Sequence, residues 1–342
     1  MELSAKEIKD ELDSARSLAL FTHINCDCDG IGCILGLYDV LTKNGKNVQL
    51  FCDSEIPERF YFLKNYEKIN LHEKNNQDAF NKEELKHENE VDFSKFDLLV
   101  SLDSSNTQRL GKYEEAYKNA EKTINIDHHV SNTNYATINY VKSYSSCGEV
   151  LFELLKEMNF EIEADAATCL FAAISSDTNR FSNSNITALT HKYVGELIDL
   201  GADYDTVNIN LHKKKSIDQL KLIAYMAKKL QYYKGVTYFY AKLKDLKKLH
   251  VKSSDVTTFM HIICNVDDSK INITVKERGN NEYRLGLRSI ENYDVNRVAS
   301  VFGGGGHKNA SGCNIHGNFK KEFKKVLDEC VKEIQRNDNK SM

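Results

Sequence analysis

The sequence predicts an α/β protein: an N-terminal doubly wound, mainly parallel-sheet domain, followed by a smaller C-terminal α/β domain. Three observations predict it. Apolar runs at SLALFTH (17–23), FDLLVSLD (96–103) and KTINIDHH (122–129) are nearly continuous and alternate with helical-looking segments, as parallel strands covered on both faces require. From about residue 234 the texture changes to half-exposed alternation, in GVTYFYAKL, KINITVKER and EYRLGLRSI, the mark of strands with one wet face. Finally, 342 residues suffice for two domains with sizeable cores. The division expected is a first domain over 1–205, a helical linker over 206–232 and a second domain over 233–342.

In chain order, residues 4–15 read as an amphipathic helix and 17–23 as the first strand. GIGCILGLYDVL reads as a helix and NVQLFCD as a strand. Residues 72–95 are strongly charged and read as a solvated helical or loop insertion. SSCGEVLFELLKEMNF, ADAATCLFAAISSD and ITALTHKYVGELIDLG read as helices, as do residues 216–231, which would bridge to the second domain. There VTTFMHIICNV and VNRVASVF read as helices, GGGGHKNASGCNIHG follows, and a helix closes the chain.

The totals exclude some functions. A formal net charge of -4 argues against non-specific binding to long nucleic acid, which needs a basic face; small anions in a local pocket stay open. No apolar run approaches the ~20 residues of a membrane span. The polar start, MELSAKEIKDELDSARS, is no signal peptide, and nine cysteines at irregular spacing read as reduced thiols. A cytoplasmic protein is expected.

The stretch NIDHHV (125–130) carries the chemistry. Asp127, His128 and His129 close an apolar run where polar side chains do nothing for a core. Three further places share this character: HINCDCDG (23–30), with His23, Asp27 and Asp29; Asp103 in SLDSSNTQRLG; and Asp177, where LFAAIS gives way to SDTNRFSNSN. Each acid alone is as well explained by a cap or turn. Together, in a topology that gathers strand ends at one edge, they make a set of carboxylates and imidazoles suited to Mn, Mg or Fe(II). Two such ions ~4 Å apart, bridged by one carboxylate, hold a hydroxide and polarise a phosphoryl group. Cys26 and Cys28 with His23 offer a zinc alternative, weakened by the lack of a second cysteine pair at zinc spacing. The run GGGGH (303–307) reads as a flexible turn or, through consecutive N–H groups, an anion nest. It is not a Walker loop, since no Lys-Ser/Thr follows. His307 and Arg288-Ser289 would stand near a phosphate there.

This set resembles the DHH–DHHA1 phosphoesterases. His23-x-x-x-Asp27-x-Asp29 is similar to their first motif, Asp103 to the second, Asp127-His128-His129 to the third and Asp177 to the fourth; Arg288-Ser289 and GGGGHKNASG are similar to the DHHA1 signatures. The order matches from about 17 to 315. The resemblance implies two Mn²⁺, with Mg²⁺ or Co²⁺ as substitutes. His23 and Asp27 would bind one ion, Asp29, His128 and Asp177 the other, and Asp103 both. A metal-held water would attack phosphorus, His129 would face the scissile phosphate, and Asp127 would orient ligands from behind. Asp103, Asp127, His128 and His129 would thus carry catalysis. Arg288, Ser289, Gly304, Gly305, Gly306 and His307 would hold a terminal phosphate or nucleotide, and Arg109 would also reach phosphate. The chain departs from the pattern at Cys26 (for Pro), Cys28 (for Gly), Cys33 (for Ser) and Asn179 (for Gly), which touches loop geometry, metal preference and oxidation sensitivity but no expected ligand.

Within that family the length resembles the stand-alone nano-RNase and cyclic-di-AMP-related branch. The implied function is a Mn-dependent phosphodiesterase and 3′-5′ exoribonuclease of very short oligonucleotides and dinucleotides such as pApA, also acting on adenosine 3′,5′-bisphosphate. The alternatives are a cyclic-di-AMP phosphodiesterase and a non-catalytic nucleotide-binding sensor, the latter disfavoured because every expected ligand is present. Family resemblance alone implies a homodimer.

Overall fold

The computed structural model describes residues 5–71, 91–251, 256, 266–290 and 292–338. These divide into two units, Met1–Lys214 and Lys215–Met342. The division falls inside the stretch 206–232.

In the first unit the apolar runs form a six-stranded sheet of order β3-β2-β1-β4-β5-β6, parallel throughout. The strands are β1 (Ser17–Thr22), β2 (Asn47–Cys52), β3 (Ile69–Leu71), β4 (Leu98–Leu102), β5 (Thr123–Asp127) and β6 (Ile138–Val141). Alternate residues of β1 serve two cores. Leu18 and Leu20 join Val100, Ile124 and the helices of one layer, while Ala19 and Phe21 join Phe51, Leu99, Tyr113 and Tyr117 in the other. Burial on both faces explains why these strands read as unbroken apolar runs. The helices are α1 (Ala5–Ser14), α2 (Cys28–Lys43), α3 (Glu114–Asn119), α4 (Cys147–Glu157), α5 (Ala164–Asp177), α6 (Ala188–Asp199) and α7 (Tyr204–Asn208). The strand order reverses between β1 and β4, and open sheets of this kind present ligands at such a switch point, beyond the carboxyl ends of the strands.

The second unit holds α8 (Ile217–Lys229), β7 (Gln231–Tyr233), β8 (Val236–Ala241), α9 (Leu243–Lys248), β9 (Ile271–Gly279), β10 (Glu282–Ser289), α10 (Val295–Val301), β11 (Gly305–His307), β12 (Ala310–His316) and α11 (Phe319–Asp338). Its sheet runs β11-β12-β10-β9-β8-β7. Only β8 and β9 pair in parallel; the other pairs are antiparallel. One face packs Leu285, Leu287 and Ile273 against Val298, Phe323 and Val326. The other packs Phe239 and Ala241 against Leu222 and Met226, so α8 belongs with the second unit.

Several expectations need amendment. The sequence places a loop between β1 and the helix over HINCDCDG, with Cys28 in a small turn position; instead Cys28 starts α2, fully buried, and Asp29 lies in its first turn. Strands β3 and β6 are too short for their apolar content to announce them. Part of the glycine run is strand: Gly305–His307 pairs with Ala310, Ser311 and Gly312. Of the charged stretch 72–95, residues 72–90 lie outside the described residues, as does most of VTTFMHIICNV.

Candidate metal centre

β1, β4 and β5 end side by side, and each hands a polar residue to the same edge. His23 follows β1. Its Nδ1 lies 2.9 Å from the carbonyl of Ile24, which turns Nε2 toward Asp103 (3.3 Å) and Asp27 (3.6 Å). Asp27 caps α2, its Oδ1 accepting from the N–H groups of Asp29 (3.0 Å) and Gly30 (3.2 Å). Gly30 is required here: a Cβ would stand 2.1 Å from Thr22 Oγ1 and 3.3 Å from the His23 ring. Asp29 is buried and meets the start of α4, accepting from the N–H groups of Cys147 (2.7 Å) and Gly148 (2.9 Å). A helix N-terminus is the natural partner for a buried carboxylate.

Asp103 follows β4 with left-handed backbone, φ 57°, and its N–H donates to the carbonyl of Ile126 at 3.0 Å. Such a conformation costs on the order of 1 kcal/mol or more for a residue with a side chain. Its Oδ1 is buried with no hydrogen-bond partner, with His128 Nε2 at 3.5 Å and His129 Nδ1 at 3.7 Å. A buried carboxylate oxygen left unpaired is costly.

β5 ends in Asp127, which holds the next residues. Its Oδ1 accepts from His129 Nδ1 at 2.7 Å, and its Oδ2 accepts from Asn132 Nδ2 at 2.6 Å. His128 sets its Nδ1 3.3 Å from the carbonyl of Tyr144. Its Nε2 then faces Asp103, Asp177 (3.7 Å) and Asp29 (3.8 Å). With Nδ1 committed to a carbonyl, in His23 as in His128, Nε2 is the ligand atom.

Three sets of potential ligand atoms result, the atoms within each set lying within 4.8 Å of one another: His23, Asp27 and Asp103; Asp29, His128 and Asp177; and Asp103, Asp127, His128 and His129. Asp103 is common to the first and last. Neither Cys26 nor Cys28 belongs to a set, so the zinc alternative finds no support among the described residues. Oxygen and imidazole donors suit hard divalent cations, and the orphaned Asp103 oxygen is where one would be satisfied.

The ionisation of the site fits missing positive charge. Burial pushes Asp29 up, and repulsion by Asp103 and Asp177 adds to it. Asp177 rises to about 6, through burial first and then Asp103 and Asp27. Burial would lower His128, but Asp103, Asp29 and Asp177 overcome that and raise it to about 10. His23 is raised likewise, against burial, by Asp103 and Asp27. Burial would raise Asp103, yet His128 and His23 hold it well below the carboxylate range. Protons are retained where cations would sit.

The remaining sequence candidates fall in two places. Arg109 lies in the segment after β4; its carbonyl accepts from the N–H of Ile24 at 2.7 Å, joining it to the His23 loop, and its Nε is buried without a hydrogen-bond partner. In the second unit Arg288 pairs with Ala310, and Ala310 with His307. The three therefore share one row on one face of the sheet. Arg288 Nη1 donates to the carbonyl of Leu287 at 3.0 Å, and Ser289 Oγ to that of Tyr293 at 2.5 Å. Gly303 N–H donates to Ser300 and Gly304 N–H to Ala299. These two donors belong to a turn after α10, so the run does not form one continuous nest.

Sequence reasoning missed Asn132, the Tyr144 carbonyl and the Cys147 and Gly148 amides. Asn132 alone left a trace, as a polar residue five after Asp127. It also missed the turn after Asp177, where Asn179, Arg180 and Phe181 have φ of 48°, 57° and 63°.

Comparison with known proteins agrees with this geometry. Residues 17–174 match the DHH family, N-terminal domain, and residues 235–333 match the DHHA1 domain. The bifunctional oligoribonuclease and PAP phosphatase NrnA of Mycoplasma genitalium is 30% identical over 94% of each chain. Its Bacillus subtilis namesake is 25% identical over 88% of this chain and 90% of its own. An exopolyphosphatase-related protein from Bacteroides fragilis superposes with a TM-score of 0.86 at 22% identity, covering 96% of this chain and 95% of that one. RecJ of Thermus thermophilus, in complex with Mn²⁺, superposes at 0.53 and 10% identity, covering 97% of this chain and 54% of RecJ. These two likenesses are of fold. Among the described residues no helix is long and apolar enough to cross a membrane.

Proposed function

The chain belongs to the DHH–DHHA1 family of phosphoesterases, and we propose that it is a Mn-dependent phosphodiesterase. Its substrates are very short oligonucleotides and dinucleotides such as pApA, and it also removes the 3′-phosphate of adenosine 3′,5′-bisphosphate. The observation that carries this reading is Asp103: a buried carboxylate in left-handed backbone, one of whose oxygens makes no hydrogen bond, standing between two histidines that carry their own acids. One cation would be held by His23, Asp27 and Asp103, the other by Asp29, His128, Asp177 and Asp103. When bound, two such ions supply a water acidified to neutral pH and neutralise charge on the phosphoryl oxygens.

The chain's own residues set the geometry. Carbonyls of Ile24 and Tyr144 fix the tautomers of His23 and His128. Asp127 holds His129 through Nδ1 and is itself held by Asn132, which orients the His129 ring to face the scissile phosphate with its other nitrogen. Arg109 adds positive charge from the neighbouring segment. In the second unit, Arg288, Ser289, Gly304, Gly305, Gly306 and His307 are assigned to a phosphate or nucleotide. Support for short substrates comes from the NrnA relatives, whose names are oligoribonuclease and PAP phosphatase, and from a net charge of -4. The reading includes a cytoplasmic homodimer.

The test is hydrolysis followed by product chromatography. Protein stripped of metal and resupplied with Mn²⁺ is given pApA, a five-nucleotide RNA, adenosine 3′,5′-bisphosphate and cyclic di-AMP. Cleavage of the linear substrates with cyclic di-AMP intact is expected. Turnover of cyclic di-AMP would move the assignment to second-messenger hydrolysis, and no turnover of any substrate would overturn it.

A further inference from the structure

The turn that follows Asp177 is built in a way that metal ligation does not require. Asn179, Arg180 and Phe181 are consecutive left-handed residues. Asparagine tolerates that region; arginine and phenylalanine rarely enter it. Hydrogen bonds hold the turn. The N–H of Asn179 donates to the carbonyl of Ser176 and that of Arg180 to Ser175, at 3.0 and 2.9 Å. Buried Thr178 accepts from the Phe181 N–H at 3.1 Å, and Asn183 Nδ2 donates to the Asp177 carbonyl at 2.9 Å. Phe181 packs against the core, its ring 5.4 Å from His191. With Phe181 anchored inward, Asn179 and Arg180 are left exposed.

Arg180 is thus an exposed cation three residues along the chain from a proposed metal ligand, Asp177, on a turn whose backbone is tied to the end of α5. Yet among the described residues its guanidinium has no hydrogen-bond or ion-pair partner. Asp177 turns to His128 instead. A merely solvated arginine needs no strained, rigidly tied backbone, and a cation that neutralises the acids would pair with one. What is left is an anion brought by the substrate. A guanidinium suits phosphate because its planar fork offers paired donors.

We propose that Arg180 binds a phosphate of the substrate other than the scissile one, so that this turn contributes selectivity for substrates carrying a second phosphate. The inference rests on the phosphodiesterase reading above. It is tested with Arg180→Asn, which keeps a residue at ease in the left-handed region, and with Arg180→Lys, which keeps the charge but loses the fork. kcat/KM is measured for pApA and for ApA, which lacks the terminal phosphate. For Arg180→Asn the pApA-to-ApA ratio should fall about tenfold, mostly through KM for pApA, as loss of one charge-assisted contact implies, and Arg180→Lys should recover part of it. The Mn²⁺ concentration for half-maximal rate should stay within twofold of wild type. An unchanged ratio overturns the inference, whatever happens to the absolute rate, because equal loss on both substrates would mark Arg180 as support for Asp177. If wild-type protein turns over neither dinucleotide, the phosphodiesterase reading falls and this inference with it. If it turns over both without preferring pApA, only the inference falls.

Discussion

The two sheets offer their chemistry in different ways. In the first unit, parallel strands deliver side chains through their ends: His23, Asp103 and Asp127 stand at the carboxyl edge of β1, β4 and β5, mostly buried. In the second, antiparallel strands deliver them across a face: Arg288, Ala310 and His307 lie in one row over β10, β12 and β11. The first arrangement concentrates like charge in a place of low solvation and is satisfied only by added cations. The second leaves cationic and amide groups near water, where they need only shape and room. The lesson is that the first region is limited by electrostatics and the second by packing.

The sharpest way to break this comparison is Asp103→Ala. Losing the carboxylate shared by both histidines should lower hydrolysis about a thousandfold, the rate equivalent of several kcal/mol of charge stabilisation. A variant that keeps a tenth of wild-type activity would remove Asp103 from the centre of the site. Metal removal comes next. Chelation should leave secondary structure intact by circular dichroism but lower the melting temperature, and Mn²⁺ at about 100 times its Kd should restore about 2.7 kcal/mol of stability. An identical melt with and without Mn²⁺ would mean that the acids need no cation.

Asn132→Ala then asks how far the site depends on the residue behind Asp127. The expected loss is about 10- to 100-fold in activity or metal affinity, the usual effect of removing a partner of a ligand. No loss would show that His129 alone orients Asp127. The smallest effect belongs to the second region. In Gly304→Ala the new methyl would stand 2.2 Å from the Gly312 carbonyl oxygen and 2.5 Å from Cys313 Cβ, for a destabilisation of about 1–3 kcal/mol by overpacking. Calorimetry should show that loss while Mn²⁺ affinity is kept. If Mn²⁺ affinity falls instead, the two regions are coupled and the distinction between them fails.

The legible part of the site was the part written locally. An apolar run closed by Asp or His announces a strand end, and doing so at 17–23, 96–103 and 122–129 announces a shared edge. The ligand candidates His23, Asp27, Asp29, Asp103, His128 and Asp177 do converge. The supports were not legible, because they join residues far apart. The Cys147 N–H meets Asp29 across 118 positions, and the Tyr144 carbonyl reaches His128 by way of β6, a four-residue strand with little pattern of its own. The zinc option for Cys26 and Cys28 was open in the sequence because spacing cannot say which way a thiol points. Among the described residues neither thiol joins a group of potential ligand atoms, and Cys28 is the buried first residue of a helix.

By itself, then, the sequence determined the class of the protein, the order of its longer strands and helices and the chemical type of its ligands, because periodicity and residue identity are local properties. The tertiary structure decided the rest: which oxygen of Asp103 is left unpaired, which nitrogen of each histidine is turned to the acids, and that Asp177 is followed by a strained turn presenting Arg180. Those depend on hydrogen bonds and packing between segments that meet only when the sheet has formed.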